Sequence, residues 1–149
     1  MTRIGFAYNQ KPEPEATADD AELARPDEEP PSSGTRSDAA LATLIAPAAD
    51  DEYAEWDSAE TIDAVARALA RHGEVIRLEA RDDFPQQLRE LRPDIVFNIA
   101  EGLRGPNREA HVPAICEFYG VPYSGSDPFT LALCLDKART KEILRAHGV

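Results

Sequence analysis

The chain has 149 residues, enough for one ordinary domain, and a formal net charge of -12. Of its 28 Asp and Glu residues, 15 lie between residues 11 and 60, against 3 of the 16 Lys and Arg, which leaves 13 of each sign elsewhere. A nucleic-acid surface needs clustered Lys and Arg, so this distribution argues against a nucleic-acid partner. No apolar run is long enough to span a bilayer and no hydrophobic leader follows Met1, so we expect a cytoplasmic protein without a membrane partner.

The cysteines and histidines predict neither a disulfide nor a metal site. Cys116 and Cys134 both lie in apolar helical patterns, which is typical of buried free thiols. Their spacing does not suit a disulfide framework or a metal-binding pair. His111 and His147 stand alone, without the spacing of metal ligands, and we expect structural or surface roles for them.

An acidic insertion interrupts the first part of the chain. Arg3–Tyr8 is a short apolar run that predicts the central strand of a parallel sheet. Residues 11–52 are rich in Pro, Glu, Asp, Ala and Ser, and cannot bury enough apolar surface to offset roughly 1–2 kcal/mol of chain entropy per residue. We predict a disordered insertion with a helical turn or two at residues 38–46. It would serve either as a solvated tether or as a mobile lid or partner-binding arm.

Alternating helices and strands follow the insertion. Asp57 or Ser58 is suited to cap a first helix that ends at His72-Gly73, with Gly73 in the left-handed position. The later elements are predicted as strand Glu74–Leu78, helix Phe84–Leu91, strand Asp94–Ile99, helix Asn107–Tyr119, strand Val121–Ser124 and a buried helix capped by Asp127 with Pro128 at its first position. This order predicts an α/β fold. We expect residues 1–10 and 53–149 to form a three-layer, Rossmann-like domain with a four-stranded, mainly parallel sheet.

Several short motifs follow one another in the last third of the chain. They are EG at 101–102, REAHVPA at 108–114, PYSGSDP at 122–128, LALCLDK at 131–137 and TK at 140–141. In this order they resemble the end of the N-terminal domain of D-alanine–D-alanine ligases, members of the ATP-grasp superfamily. The resemblance implies a pre-ATP-grasp domain. Its parent enzyme would join a carboxylate to an amine through an acyl phosphate.

The resemblance also implies roles for particular residues. Glu55 matches a glutamate that helps these ligases hold the ammonium of the first substrate, and an ammonium requires a charged acceptor. Glu101, Gly102 and Arg108 belong to the loop predicted to bind substrate, with Glu101 standing where these ligases commonly carry a histidine. Lys137 matches the lysine that reaches the nucleotide phosphates. We predict no catalytic and no metal-binding residue in this chain.

Cofactors and partners follow from the same resemblance. It implies ATP and Mg²⁺ for the full-length protein, with neither bound tightly by this domain alone, and a small carboxylate or amino acid as substrate. In this family the central and C-terminal ATP-grasp domains supply the adenine pocket and the magnesium-binding carboxylates. We therefore expect an excised or truncated N-terminal domain that is inactive alone and has those domains as partners. Two alternatives stay open: a non-catalytic binding or assembly module, including a homodimer, and a different α/β domain such as a flavodoxin-like small-ligand sensor.

Overall fold

The computed structural model describes residues 1–12 and 53–149. Met1–Lys11 and Glu55–Val149 together form one compact unit, and Pro12–Ala54 belong to a second. The predicted disordered insertion and its helical turn at residues 38–46 fall almost wholly outside the described residues. All elements below belong to the first unit.

A three-stranded parallel sheet forms the centre of this unit. Its strands are β1 (Arg3–Tyr8), β2 (Glu74–Glu79) and β3 (Ile95–Asn98), in the spatial order β2-β1-β3. Phe6 of β1 lies opposite Arg77 on one side and Phe97 on the other. The position of β1 between two neighbours explains why its apolar run is nearly all buried, and it confirms the predicted central strand.

The predicted fourth strand is reduced to a single bridge between Val96 and Tyr123. Val96 donates its N–H to the Pro122 carbonyl at 2.8 Å, and Ser124 donates back to the Val96 carbonyl at 2.9 Å. Pairing then stops, because Asn98 donates its N–H to the Ser124 side-chain oxygen instead of a carbonyl, and the chain turns at Gly125 (φ +100°). The four-stranded prediction was therefore wrong by one strand.

Five α-helices are present along residues 53–149. They are α1 (Ala59–Leu69), α2 (Phe84–Leu91), α3 (His111–Tyr119), α4 (Pro128–Leu135) and α5 (Lys137–Ala146). A short 3-10 turn, Arg108–Ala110, precedes α3, so the predicted helix from Asn107 begins with a tighter turn. Asp127 caps α4 with its side chain, as predicted, and Ser58, one of the two predicted candidates, caps α1.

Helices cover both faces of the sheet. On one face α1 packs Ile62 and Ala66 against Phe6 and Tyr8. On the other face α2 and α3 pack against strand residues in a larger cluster, which comprises Ala7, Leu78, Ala80, Phe84, Leu88, Val96, Ala100, Val112 and Cys116. Burial of apolar surface on both sides of the strands is what holds this unit together.

Gly73 does not take the predicted left-handed conformation. Helix α1 ends earlier, at a right-handed Ala70, and Gly73 is not among the residues with positive φ. A Cβ at Gly73 would lie 2.3 Å from the Thr2 carbonyl oxygen. Glycine is required here because the backbone before β1 passes too close for any side chain.

Helix α4 is not buried, contrary to the prediction. No residue of this helix is in the buried class, and Phe129 is 73% exposed. Its leucines, Leu131, Leu133 and Leu135, are only partly covered. The helix packs against the Arg108–Ala110 turn, α3 and α5 rather than against the sheet, so a mostly apolar sequence stays near the surface.

Candidate functional site

A cleft of about 450 Å³ lies at the carboxyl end of β3, beside the start of α1. The lining residues come from the segment before α1 and α1 itself, the end of β3 and the loop that follows it, the turn before α3, and the turn into α4 with α4 itself. They are Glu55, Asp57, Thr61, Val65, Asn98, Ile99, Ala100, Glu101, Glu109, Gly125, Ser126 and Leu131. Ligands of open α/β sheets bind outside the carboxyl ends of the strands, so this cleft is the candidate site.

Three carboxylates meet in the cleft. One oxygen each of Glu55, Glu101 and Glu109 lies within 4.8 Å of the others. The guanidinium of Arg108 donates a short hydrogen bond to Glu55 and forms an ion pair with it. The arrangement leaves more negative than positive charge, so a single cationic group entering the cleft could contact all three carboxylates.

The pKa of Glu101 is raised above its ordinary value. Burial is the largest cause, because desolvation disfavours the ionised carboxyl. The neighbouring carboxylates Glu109 and Glu55 raise the pKa further, Arg108 opposes them, and Asp57 adds a smaller increase. A cationic ligand in the cleft would oppose this upward shift of the pKa and favour the ionised form of Glu101.

Asn9 does not line the cleft but is bonded to a loop that does, and the sequence analysis did not single it out. It follows β1 directly, and its side chain is 1% exposed. Its amide nitrogen donates to the Ala80 carbonyl at 3.0 Å, and its amide oxygen accepts from the Gly102 N–H at 2.8 Å. A polar residue immediately after a buried central strand was the available signal.

The structure brings most of the predicted substrate-binding residues together. Glu55 and Glu101 line the cleft and Arg108 contacts Glu55. Gly102 is buried beside them with φ +79°, and its N–H is engaged by Asn9. Glu109, which sequence reasoning placed at a helix start, joins them as the third carboxylate. Their assignment to substrate stays a prediction.

Lys137 lies apart from these residues. It is the first residue of α5, it is exposed, and its ammonium donates to the Cys134 carbonyl at 3.1 Å. It is not among the residues that line the cleft. Its predicted contact with nucleotide phosphates is untested by this geometry.

No helix in the described part of the chain is long and apolar enough to cross a membrane.

The two thiols differ in their exposure to solvent. Cys116 is buried, which raises its pKa to about 11, and Cys134 is exposed. The prediction that both thiols are buried was therefore wrong for Cys134, because α4 does not pack against the sheet.

These features define an α/β domain with a carboxylate-lined cleft at its strand ends, and comparison with known proteins identifies its relatives. No family model matches the chain. It is 39% identical over 85 residues to the D-alanine–D-alanine ligase of Ruegeria pomeroyi, covering 56% of this chain and 27% of the relative. It is 37% identical over 93 residues to the ligase of Aquifex aeolicus, covering 62% and 31%. An uncharacterized protein of Sinorhizobium fredii, y4sG, is 36% identical over 103 residues, covering 63% and 31%.

A solved structure supports the fold. The D-alanine–D-alanine ligase of Bacillus anthracis, complexed with ATP, matches with a TM-score of 0.50 and 19% identity, covering 100% of this chain and 37% of that one. The chain is homologous to the N-terminal part of D-alanine–D-alanine ligases. The matches span about 30% of the length of these curated relatives.

Proposed function

We propose that this chain supplies the amino-acid-binding part of an ATP-dependent ligase that joins a carboxylate to an amine, as the D-alanine–D-alanine ligases are named for doing. The observation that carries the proposal is the meeting of Glu55, Glu101 and Glu109 at the carboxyl end of β3. The class of reaction is inferred from the homology, and the chemistry of the bound group is inferred from the charges that line the cleft.

The charge of the cleft suits the ammonium of an amino acid. An ammonium has three donors and no acceptor, and hydrogen bonds between ionised partners are about twice as strong as neutral ones. Arg108 holds the Glu55 carboxylate in place by its ion pair. The same guanidinium has further donors that a substrate carboxylate could share, since Arg carries five N–H groups in a fixed fork.

Lys137 is the residue of this chain that we assign to the nucleotide. Its side chain is exposed and its present acceptor is a backbone carbonyl, a weaker partner than a phosphate oxygen. ATP, when bound, supplies the phosphoryl group that activates the carboxylate. The central and C-terminal ATP-grasp domains are the proposed partners that complete the enzyme and hold Mg²⁺.

Three small probes test the binding chemistry of the cleft. D-alanine carries both an ammonium and a carboxylate, whereas ethylamine and propionate carry one of the two. We expect D-alanine and ethylamine to shift the NMR resonances of Glu55 and Glu101, and propionate to shift them less. Glu55→Gln should weaken these shifts. Glu142→Gln, the same change at an exposed acid on α5 that does not line the cleft, should leave them unchanged.

Two outcomes would contradict the proposal. Propionate could shift the cleft resonances as strongly as ethylamine, or D-alanine could shift only the resonances of residues outside the cleft. Either result would show that the carboxylates do not select an ammonium. If Glu55→Gln and Glu142→Gln had equal effects, general charge screening would explain the shifts of the resonances.

Large exposed aromatic side chains favour a second candidate, an assembly module. Phe118 and Phe129 are 82% and 73% exposed. Exposed apolar side chains promote association where they form a contiguous patch. Sedimentation velocity should then show concentration-dependent dimers that Phe129→Ser weakens and Arg145→Ser does not. A monomer at every concentration removes this candidate.

A further inference from the structure

Asn9 occupies a costly position for a polar side chain. It lies at the carboxyl end of the central strand and is 1% exposed. Burying an amide is unfavourable unless its donor and acceptor are both paired. Both are paired here, and each partner lies on a different segment at the strand ends.

Three hydrogen bonds of Asn9 join the segments around the cleft. The side chain donates to the Ala80 carbonyl, just beyond β2, and accepts from the Gly102 N–H, in the loop after β3. The Asn9 backbone carbonyl accepts from the Asp57 N–H at 3.0 Å. Asp57 is two residues from Glu55, and Gly102 follows Glu101. Asn9 therefore contacts both walls of the cleft, one through its side chain and the other through its backbone.

The Gly102 end of this connection is stiff. A Cβ at Gly102 would lie 2.2 Å from the Arg108 carbonyl oxygen, so the backbones of Gly102 and Arg108 are in close contact. Whatever holds Gly102 therefore also places Arg108 and its neighbour Glu109. Since Arg108 is paired with Glu55, the position of one amide group influences every charged member of the site.

We propose that Asn9 is a positioning residue: its amide sets the separation of the two cleft walls and thereby brings Glu101 and Glu109 to Glu55. The ligand of the cleft rests on the proposed function above, whereas the positioning itself rests on the hydrogen bonds alone. An ordinary core residue would stabilise the fold without controlling where Glu101 lies. The two roles differ in what happens to Glu101 when Asn9 changes.

Two variants and a matched control separate these roles. Asn9→Ala removes both side-chain bonds. Asn9→Asp, with its carboxyl protonated, keeps a donor for Ala80 and an acceptor for Gly102. Asp94→Ala is the control, because the Asp94 carboxylate accepts from the Arg3 N–H at 2.8 Å and so joins β3 to β1 at the opposite end of the strands. Each variant is studied by amide hydrogen exchange and by NMR titration of the Glu101 carboxyl.

Asn9→Ala should speed exchange of the Gly102 amide by about tenfold to a hundredfold, as expected for loss of one buried hydrogen bond. The pKa of Glu101 should fall toward its ordinary value, because the loop relaxes into solvent and away from Glu55. Asp94→Ala should change neither quantity. Unchanged Gly102 exchange and Glu101 titration in Asn9→Ala, or equal changes in the control, overturn the positioning role.

Asn9→Asp keeps the proposal testable where Asn9→Ala does not fold. A buried Asp holds its proton to higher pH than an exposed one, so at acid pH the Gly102 amide resonance should match the wild type and at alkaline pH it should depart from it. A Gly102 amide resonance that differs from the wild type equally at acid and at alkaline pH contradicts the proposal. D-alanine could shift no resonance of the wild type while Asn9→Ala still changes the exchange of the Gly102 amide and the pKa of Glu101. In that case the proposed function fails and the positioning role stands.

Discussion

Gly102 and Gly105 lie in one loop and have similar backbones but very different surroundings. Gly102 has φ +79° and Gly105 has φ +89°. A Cβ at Gly102 would lie 2.2 Å from the Arg108 carbonyl oxygen, whereas a Cβ at Gly105 would meet nothing within 4 Å. Alanine at each position therefore carries a similar conformational penalty, and only Gly102→Ala adds a collision with backbone.

The two penalties can be estimated separately. The left-handed region costs an L-residue about 1–2 kcal/mol, which is the whole expected loss for Gly105→Ala. Forcing an extra methyl group into a packed site costs about 1–3 kcal/mol more, so Gly102→Ala should lose about 2–5 kcal/mol. Alanine also restricts the unfolded chain, but this contribution is the same in both variants and cancels in their comparison.

Urea unfolding measures the difference. The chain has one tryptophan, Trp56, which is 9% exposed and should report unfolding by its fluorescence. We expect Gly102→Ala to be less stable than Gly105→Ala by about 1–3 kcal/mol, with equal dependence on urea concentration. Equal stability of the two variants would refute the close contact between Gly102 and Arg108, and with it the argument that this loop is held rigidly beside the cleft.

Three further predictions concern charge and reactivity. Because the folded pKa of Glu101 is raised, its ionisation destabilises the fold as pH rises. In urea unfolding Glu101→Gln should therefore have the same free energy of unfolding as the wild type below pH 4.5, the ordinary pKa of this carboxyl, and a higher one at neutral pH. A difference in stability that does not change with pH would contradict the raised pKa. In the full-length protein Lys137→Ala should weaken the binding of magnesium-ATP measured by calorimetry, and Lys141→Ala should not; equal losses of affinity would indicate unspecific attraction. A thiol reagent should modify exposed Cys134 quickly and Cys116, whose pKa is raised to about 11, only on unfolding; equal rates would refute its burial.

Local signals in the sequence predicted most elements of the fold. The bounds of β1 and α2 match the predictions, the cap Asp127 was recognised from residue type and position, and the cap of α1 was narrowed to Asp57 or Ser58. Such features depend on residues within one helical turn or on strand periodicity. Gly73 was misread because its requirement comes from the Thr2 carbonyl, far away in the sequence.

The candidate site was only partly predictable. Glu55, Glu101 and Arg108 were named from a resemblance, and they do meet in the structure. Neither Asn9 nor the role of Glu109 as third carboxylate was foreseen. Both depend on where the loop after β3 lies relative to the end of β1.

By itself, the sequence determined the class of the domain, the order of its elements and its relationship to the ligases, because periodicity, caps and motifs are local properties of the chain. Only the tertiary structure decided that the sheet has three strands, that α4 stays near the surface and that three glutamates share one cleft. The physical reason is the long sequence separation of the deciding contacts. Asn9 and Gly102 are 93 residues apart, and Glu55 and Arg108 are 53 apart, so their meeting depends on the parallel register of β1 and β3.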